Sequence, residues 1–263
     1  MKPPYFSIII ATHERPRLLA RAMQSVCANT FTDHEMIVVS DTVDAATMLV
    51  VSQNLRPQDT FSKRIGKLGP ALSRNMGLSL ARGKYVIFLD DDDAFSIDYL
   101  ERALVATLDN PGCVIYTDYC VIQEDRERPE VPPLPGQSFS VAHADFEGIY
   151  VKNFILNHSV IFPREAVHGR YQDPHLSSLD DWDFLLNVAS DTPFVHANIT
   201  GAMVYKDYIN TQQRRGNSTA NGMSTVTDYL SIYKKWPAPN LDLRVKRQQL
   251  LASAGQHVPI DWV

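Results

Sequence analysis

The chain predicts an α/β fold: a mostly parallel sheet with helices on both faces, forming one compact domain with a C-terminal helical segment. Three observations predict it. Short aromatic and aliphatic runs at 6–11, 35–40, 85–89 and 114–119 read as buried strands. Between several of them, apolar residues recur at helical spacing, and strands alternating with helices argue for a parallel sheet covered on both sides. The length, 263 residues with 44 % apolar, allows one large α/β domain or two small ones with a sizeable core.

The elements follow in order. After the run FSIIIA, Pro16 suits a first helical turn, and Leu19, Met23 and Val26 fall on one face. A helix starts at Pro70, where Leu72, Met76 and Leu80 repeat every four residues and Gly83 is placed to cap the end. Ser96 suits the N-cap of a helix whose face is Leu100, Ala103, Leu104, Thr107 and Leu108. Residues 124–137 are charged, then proline-rich, and read as a long surface loop, either a plain connector or part of a cleft. Residues 157–163 suit one more strand. Residues 177–189 suit a helix with Trp182, Leu185, Leu186 and Ala189 on one face. A polar stretch at 211–223 reads as a mobile loop, and one or two packing helices follow. The division expected is 1–210 and 211–263.

Composition excludes some functions. A formal net charge of −5 gives no reason to expect nucleic-acid binding. The three cysteines, Cys27, Cys113 and Cys120, have no metal spacing. Two lie in or beside apolar runs, where buried free thiols are expected, and this suits a reducing cytoplasm. The N-terminus has no apolar signal region, and no stretch approaches transmembrane length, so a soluble or at most peripheral protein is expected. Tyr229, Leu230, Tyr233, Lys234, Lys235 and Trp236 suit a membrane-surface or partner contact, or a helix whose apolar side packs on the core.

The chemistry concentrates in two acidic clusters. Asp90, Asp91, Asp92 and Asp93 directly follow a buried strand. Four adjacent carboxylates repel one another, so they are either solvated in a turn or gathered around a hard cation such as Mg²⁺ or Mn²⁺. The second cluster, SSLDDWD at 177–183, contains a capping box, either Ser177 with Asp180 or Ser178 with Asp181. Acids in a first helical turn are favoured by the macrodipole whatever their function.

Four segments in order, SIIIATHERP (7–16), GPALSRNMGLSLARG (69–83), FLDDDDAF (88–95) and LDDWDF (179–184), resemble the motifs of family 2 glycosyltransferases with a GT-A fold. The resemblance spans most of residues 5–190. It implies a GT-A-like domain in which 1–120 bind a nucleotide-sugar and 121–210 bind the acceptor. It implies an inverting transfer that needs Mn²⁺ or Mg²⁺, with Asp92 as metal ligand, or Asp93 in its place, and Asp90 and Asp91 near the ribose or the metal's water. Thr12 and Glu14 fall where nucleoside contacts are expected, and Arg74 falls near the donor. Asp41 matches the base-reading carboxylate, although Ser40 stands where the family often has an acid. Asp181 matches the catalytic base. The family's late histidine is missing, and Arg214 and Arg215 are candidates to hold the diphosphate, or a solvated basic turn. His158 is a candidate for the acceptor site, or a packed residue. The resemblance further implies a UDP-sugar donor, a glycan or lipid-linked oligosaccharide acceptor, a role in cell-surface polysaccharide synthesis, and a place in the cytoplasm or at the inner face of the membrane. Two rivals share some of these features. A nucleotidyltransferase would usually carry a glycine-rich basic loop after the first strand, which residues 11–16 lack. A degenerate transferase acting as a binding module would have less reason to keep the tetrad and Asp181.

Overall fold

The run FSIIIAT forms β1 (Phe6–Thr12), inside a nine-stranded mixed sheet, in a computed structural model that describes residues 2–42, 44–176, 178–209 and 222–263. Then come α1 (Pro16–Cys27), β2 (His34–Ser40), α2 (Ala45–Asn54), β3 (Thr60–Lys63), α3 (Pro70–Leu80) and β4 (Tyr85–Asp90). They are followed by β5 (Ala94–Phe95), α4 (Tyr99–Asp109), β6 (Val114–Glu124), β7 (Gln137–Phe139) and β8 (Val160–Pro163). The chain continues through α5 (Arg164–Val167), α6 (Asp180–Ala189), β9 (Phe194–Asp207), α7 (Gly222–Lys235) and α8 (Leu241–Ser253).

The sheet order is β3-β2-β1-β4-β8-β6-β9-β5, with β7 on β6. The first four strands are parallel. β8 then enters antiparallel between β4 and β6, and β9 runs parallel to β6 past a bulge near Asp118. The parallel block is as expected, and the second half makes the whole sheet mixed.

Side-chain alternation assigns the faces. Ile8 and Ile10 of β1 join Leu19, Met23 and Val26 of α1 and Leu100 and Ala103 of α4 in one core. Ile9 points the other way, with Phe88 of β4, into a second core built with α6, α7 and α8. Strands buried on both faces read as continuous apolar runs, which is why they are legible.

Several expectations are corrected. α3 turns Ala71, Ser73 and Gly77 inward, while Leu80 is exposed. The helix lies so close to β1 that a Cβ on Gly77 would sit 2.3 Å from Ile9 Cγ2, so small residues form the contact. Gly83 is no cap: a Cβ there would lie 2.6 Å from the Ser7 backbone nitrogen, and the glycine allows two backbones to pass. In α4, Asp98 rather than Ser96 is the N-cap, and Leu108 is exposed while Tyr99 and Ala106 are buried. Residues 157–159 form a 3₁₀ turn before β8. The cysteines are free, but none is buried: Cys27 ends a helix at the surface, and Cys113 and Cys120 are half-buried beside a turn and the short strand β7. α2 and β3 have no strong periodicity and were not expected.

The apolar side of α7 does pack on the core, with Ile232 and Tyr233 almost fully buried. Arg247 of α8, itself buried, donates to the carbonyls of Tyr150 and Trp236 and fixes that packing. No helix among the described residues is long and apolar enough to cross a membrane. The expected mobile loop, with Arg214 and Arg215, lies almost entirely outside the described residues.

Candidate active site

Parallel register brings the site together. Thr12 ends β1, Asp41 follows β2, and Asp90 ends β4, and the strand pairs align Thr12 with Ser40 and Ala11 with Asp90. Their carboxyl ends open into a cleft of about 1040 Å³, as expected for an open α/β sheet. α6 brings Asp180 and Asp181 to the cleft, and the end of β9 adds Tyr205 to Tyr208. Eight carboxylates and four Arg or Lys side chains line it among the described residues.

The tetrad alternates. Asp90 and Asp92 keep side-chain exposures of 33 % and 26 %, whereas Asp91 and Asp93 keep 8 % and 6 %. Asp90 is bonded at 2.6 Å by Arg74; burial pushes its carboxyl up, but Arg74 and His158 outweigh that and hold it well below the usual range. Asp91 accepts from Thr12 Oγ1 at 2.8 Å, and burial pushes it up to about 6 despite Arg15. Asp92 is shared by Arg126 at 3.1 Å and Arg15 at 3.4 Å. Asp93 accepts from the Tyr205 backbone N–H at 2.8 Å, and burial raises it to about 7.

His158 completes this end. Its Nδ1 lies 3.3 Å from Asp93 and 3.9 Å from Asp90, and neither ring nitrogen makes a well-aligned hydrogen bond. Burial opposes its charge, but Asp93 and Asp90 prevail and raise its pKa. Asp90, Asp93 and His158 bring ligand atoms within 4.8 Å of one another, a group able to hold a metal ion. The oxygen-rich lining and the surplus of carboxylates fit a hard divalent cation.

Across the cleft, Arg74 joins the two clusters. Its guanidinium, 12 % exposed, reaches Asp90 at 2.6 Å and Asp180 at 3.2 Å. Asp181 accepts the Trp182 backbone N–H at 2.8 Å and has no cation within ion-pair distance among the described residues. Burial, then the neighbouring Asp180, raise its carboxyl to about 6, with Arg74 opposing. Of the two expected capping boxes, the one pairing Ser178 with Asp181 does not form. Leu179, at φ 65°, is the N-cap and provides no side-chain bond. Ser178 turns instead to Asp228, and Ser177 lies outside the described residues.

Asp41 sits where expected, but it is already engaged: His13 Nδ1 lies 2.5 Å from one oxygen, and the Gly69 N–H donates to the other at 2.9 Å. Glu14 is exposed at φ 50° and does not line the cleft, while His13 does. Sequence reasoning missed His13, Arg15 and Arg126. Arg15 stands within the THERP segment, which was read as a unit, and Arg126 lies in a charged loop with no periodic signal.

A family model described as "Glycosyl transferase family 2" matches residues 7–165. An uncharacterized glycosyltransferase of Haemophilus influenzae is 25 % identical over 228 residues, covering 85 % of this chain and 75 % of its own length. A GalNAc(5)-diNAcBac-PP-undecaprenol β-1,3-glucosyltransferase of Campylobacter jejuni is 35 % identical over 128 residues, which is 46 % of this chain but only 40 % of that enzyme. The structure of S. aureus TarS 1–349 in complex with UDP-GlcNAc superposes with a TM-score of 0.65 at 17 % identity, covering 94 % of this chain and 71 % of that one. At that identity the likeness establishes the fold, which is GT-A.

Proposed function

We propose, because the chain belongs to glycosyl transferase family 2, that it is an inverting, metal-dependent transferase using a nucleotide-diphosphate sugar. The observation that carries this reading is a cleft with two accessible carboxylates at the end of β4 and a further carboxylate, Asp181, that is in no ion pair among the described residues. The acceptor hydroxyl oxygen attacks the anomeric carbon, its proton passes to Asp181, and the bond from that carbon to the diphosphate oxygen breaks. A raised carboxyl pKa suits a base working near neutral pH.

A divalent cation stabilises negative charge on the departing diphosphate. Asp90 and Asp92 would hold it, because they are the more exposed of the four aspartates that line the cleft. Arg15 and Arg126, which pair with Asp92, would be free to bind the phosphates when Asp92 holds the cation. A second register, Asp90 with Asp93 and His158, is favoured by the proximity of their ligand atoms.

Residues 1–120 would form the donor half and 121–210 the acceptor half, with Thr12 and Asp41 toward the nucleoside. UDP-sugars are the first donors to try, since the similarly folded TarS was solved with UDP-GlcNAc. A glycan or lipid-linked acceptor in polysaccharide synthesis is supported by the Campylobacter relative's name. Such an acceptor would bring the protein to the inner face of the membrane. The test is a thermal-shift screen of nucleotides and a panel of UDP-sugars, with and without Mn²⁺, followed by assay of nucleotide release. UDP with Mn²⁺ should raise Tm by several degrees more than UDP with chelator. No shift with any nucleotide diphosphate would overturn the reading.

A further inference from the structure

One set of contacts takes no direct part in the chemistry of the cleft: those of α7 and the residue after it with the start of α6. Asp228, itself buried, accepts from the Ser178 backbone N–H at 2.8 Å and from its hydroxyl at 3.0 Å. Tyr229 and Tyr233 set ring edges against Trp182, with centroids 5.2 and 6.0 Å away. Lys235 Nζ and Trp236 Nε1 each donate to the buried carboxylate of Asp183 at 2.8 Å. Trp182 is held from its far side as well, its indole N–H donating to the Ile149 carbonyl at 2.7 Å.

The three gripped residues bracket Asp181. Ser178 precedes it, and Trp182 and Asp183 follow it directly. Asp181 is left facing the cleft. The local backbone is also unusual. Ser178 has a side chain suited to capping a helix, yet it is turned to Asp228, and the N-cap falls to a leucine in the left-handed region. An uncapped helix start with a left-handed leucine is not what helix stability alone selects. Such a conformation persists only where its surroundings over-determine it, and it collects at functional sites.

We infer that the C-terminal helix α7 is the positioning element of the acceptor-activating carboxylate, with Asp228 fixing the Ser178–Leu179 turn that aims Asp181. This inference rests on the reading of Asp181 as the general base. The family match ends at residue 165, so both the carboxylate and the helix that holds it lie beyond the matched span. The physical requirement is strict: a general base must lie within hydrogen-bond reach of the proton it takes, and a misplacement of about 1 Å can lower the rate on the order of 10²-fold. α7 donates no group to the cleft in this role. Its effect is on turnover, not on donor affinity.

The test compares Asp228→Leu, Asp228→Asn, Ser178→Ala and Asp181→Asn with the wild type. It uses whichever UDP-sugar the panel shows to be turned over, with Mn²⁺, and measures kcat, donor KM, UDP affinity and Tm. Asp228→Leu removes both bonds to Ser178 and should lower kcat about 10- to 100-fold while donor KM stays within about twofold. Asp228→Asn keeps an oxygen that accepts from Ser178 and should recover most of that loss, a rescue that a loss of general stability would not track. Should Asp228→Leu fail to fold, Ser178→Ala, which removes one of the two bonds, should still lower kcat several-fold at unchanged donor KM. Full kcat in Asp228→Leu or in a folded Ser178→Ala overturns the inference. So does a parallel loss of UDP affinity, which would mark general unfolding. If Asp181→Asn is inactive while Asp228→Leu is fully active, the inference falls and the base assignment stands. If Asp181→Asn itself keeps full turnover, the base assignment falls and takes the inference with it.

Discussion

Two acidic clusters face one cleft, and they handle their charge differently. At the end of β4 every carboxylate has a polar or cationic partner: Arg74 for Asp90, Thr12 and Arg15 for Asp91, Arg15 and Arg126 for Asp92, the Tyr205 N–H and His158 for Asp93. At the start of α6, Asp180 is held by Arg74 and Asp183 by Lys235 and Trp236, which leaves Asp181 with a backbone N–H and no ion-pair partner among the described residues. Four adjacent carboxylates must survive their own repulsion whether or not a cation is bound, and these partners offset it. On the proposed reading, a base needs a carboxylate that is not tied up in an ion pair, and the more distant Arg74 only partly offsets the burial of Asp181. On the proposed function, the same residue type serves two purposes, separated by the charges around it.

The largest test of this contrast is Asp181→Asn. Turnover should fall about 10²- to 10⁴-fold while UDP affinity in Mn²⁺ stays within about twofold. If Asp181 only starts a helix, Asn should serve nearly as well, since only a charge–dipole contribution of roughly 0.3–1 kcal/mol is lost. Kinetics and calorimetry on the same preparation separate the two: nearly full turnover would send the search for a base to another carboxylate.

Among the described residues, Arg74 is the one side chain that pairs with both clusters, so Arg74→Met should damage both. Removing one member of a buried ion pair typically costs about 3–5 kcal/mol. Asp90 keeps solvent contact, so a loss of roughly 3 kcal/mol in chemical denaturation is expected. A change below about 1 kcal/mol would mean that the link between the clusters is incidental.

The metal register gives a third comparison. With Asp90 and Asp92 as ligands, Asp92→Asn should weaken Mn²⁺ affinity by at least about tenfold, the range seen when groups supporting a metal site are changed. Asp93→Asn and His158→Gln should weaken it much less. Mn²⁺ titration followed by electron paramagnetic resonance decides it. The reverse order would assign the ion to Asp90, Asp93 and His158.

Most of the parallel block was legible because buried strands are continuous apolar runs and Pro16 and Pro70 mark helix starts. What escaped notice involved contacts distant in sequence. The face of α3 was misread because a close helix–strand approach selects glycine and alanine over leucine. α2 escaped because it buries only Thr47 and Val51. In the site, carboxylates following strands were predictable from order alone. Their partners were not, since Arg126 and His158 reach the tetrad from 34 to 68 residues away in sequence. The capping box of Ser178 with Asp181 failed for a similar reason: Asp228, 50 residues on, draws Ser178 away.

The smallest predicted effect concerns pH. With the donor limiting, the acidic limb of kcat/KM reports the base in the free enzyme, and Asp181 places it near pH 6 instead of near 4. The sign follows from the role: below its pKa the carboxyl is protonated and cannot accept the acceptor's proton, so turnover rises with pH through the limb. Burial is the main cause of the raised value, and Asp180 adds to it. Asp180→Asn removes a negative neighbour while Asp90 continues to hold Arg74, so the limb should move to lower pH with only a few-fold change in turnover at pH 7. Arg74→Met removes a positive neighbour and should move the limb the other way, to higher pH. Two substitutions on either side of one carboxylate, shifting one limb in opposite directions, are difficult to explain unless that carboxylate titrates in the rate. If both leave the limb in place, the group controlling turnover is not Asp181.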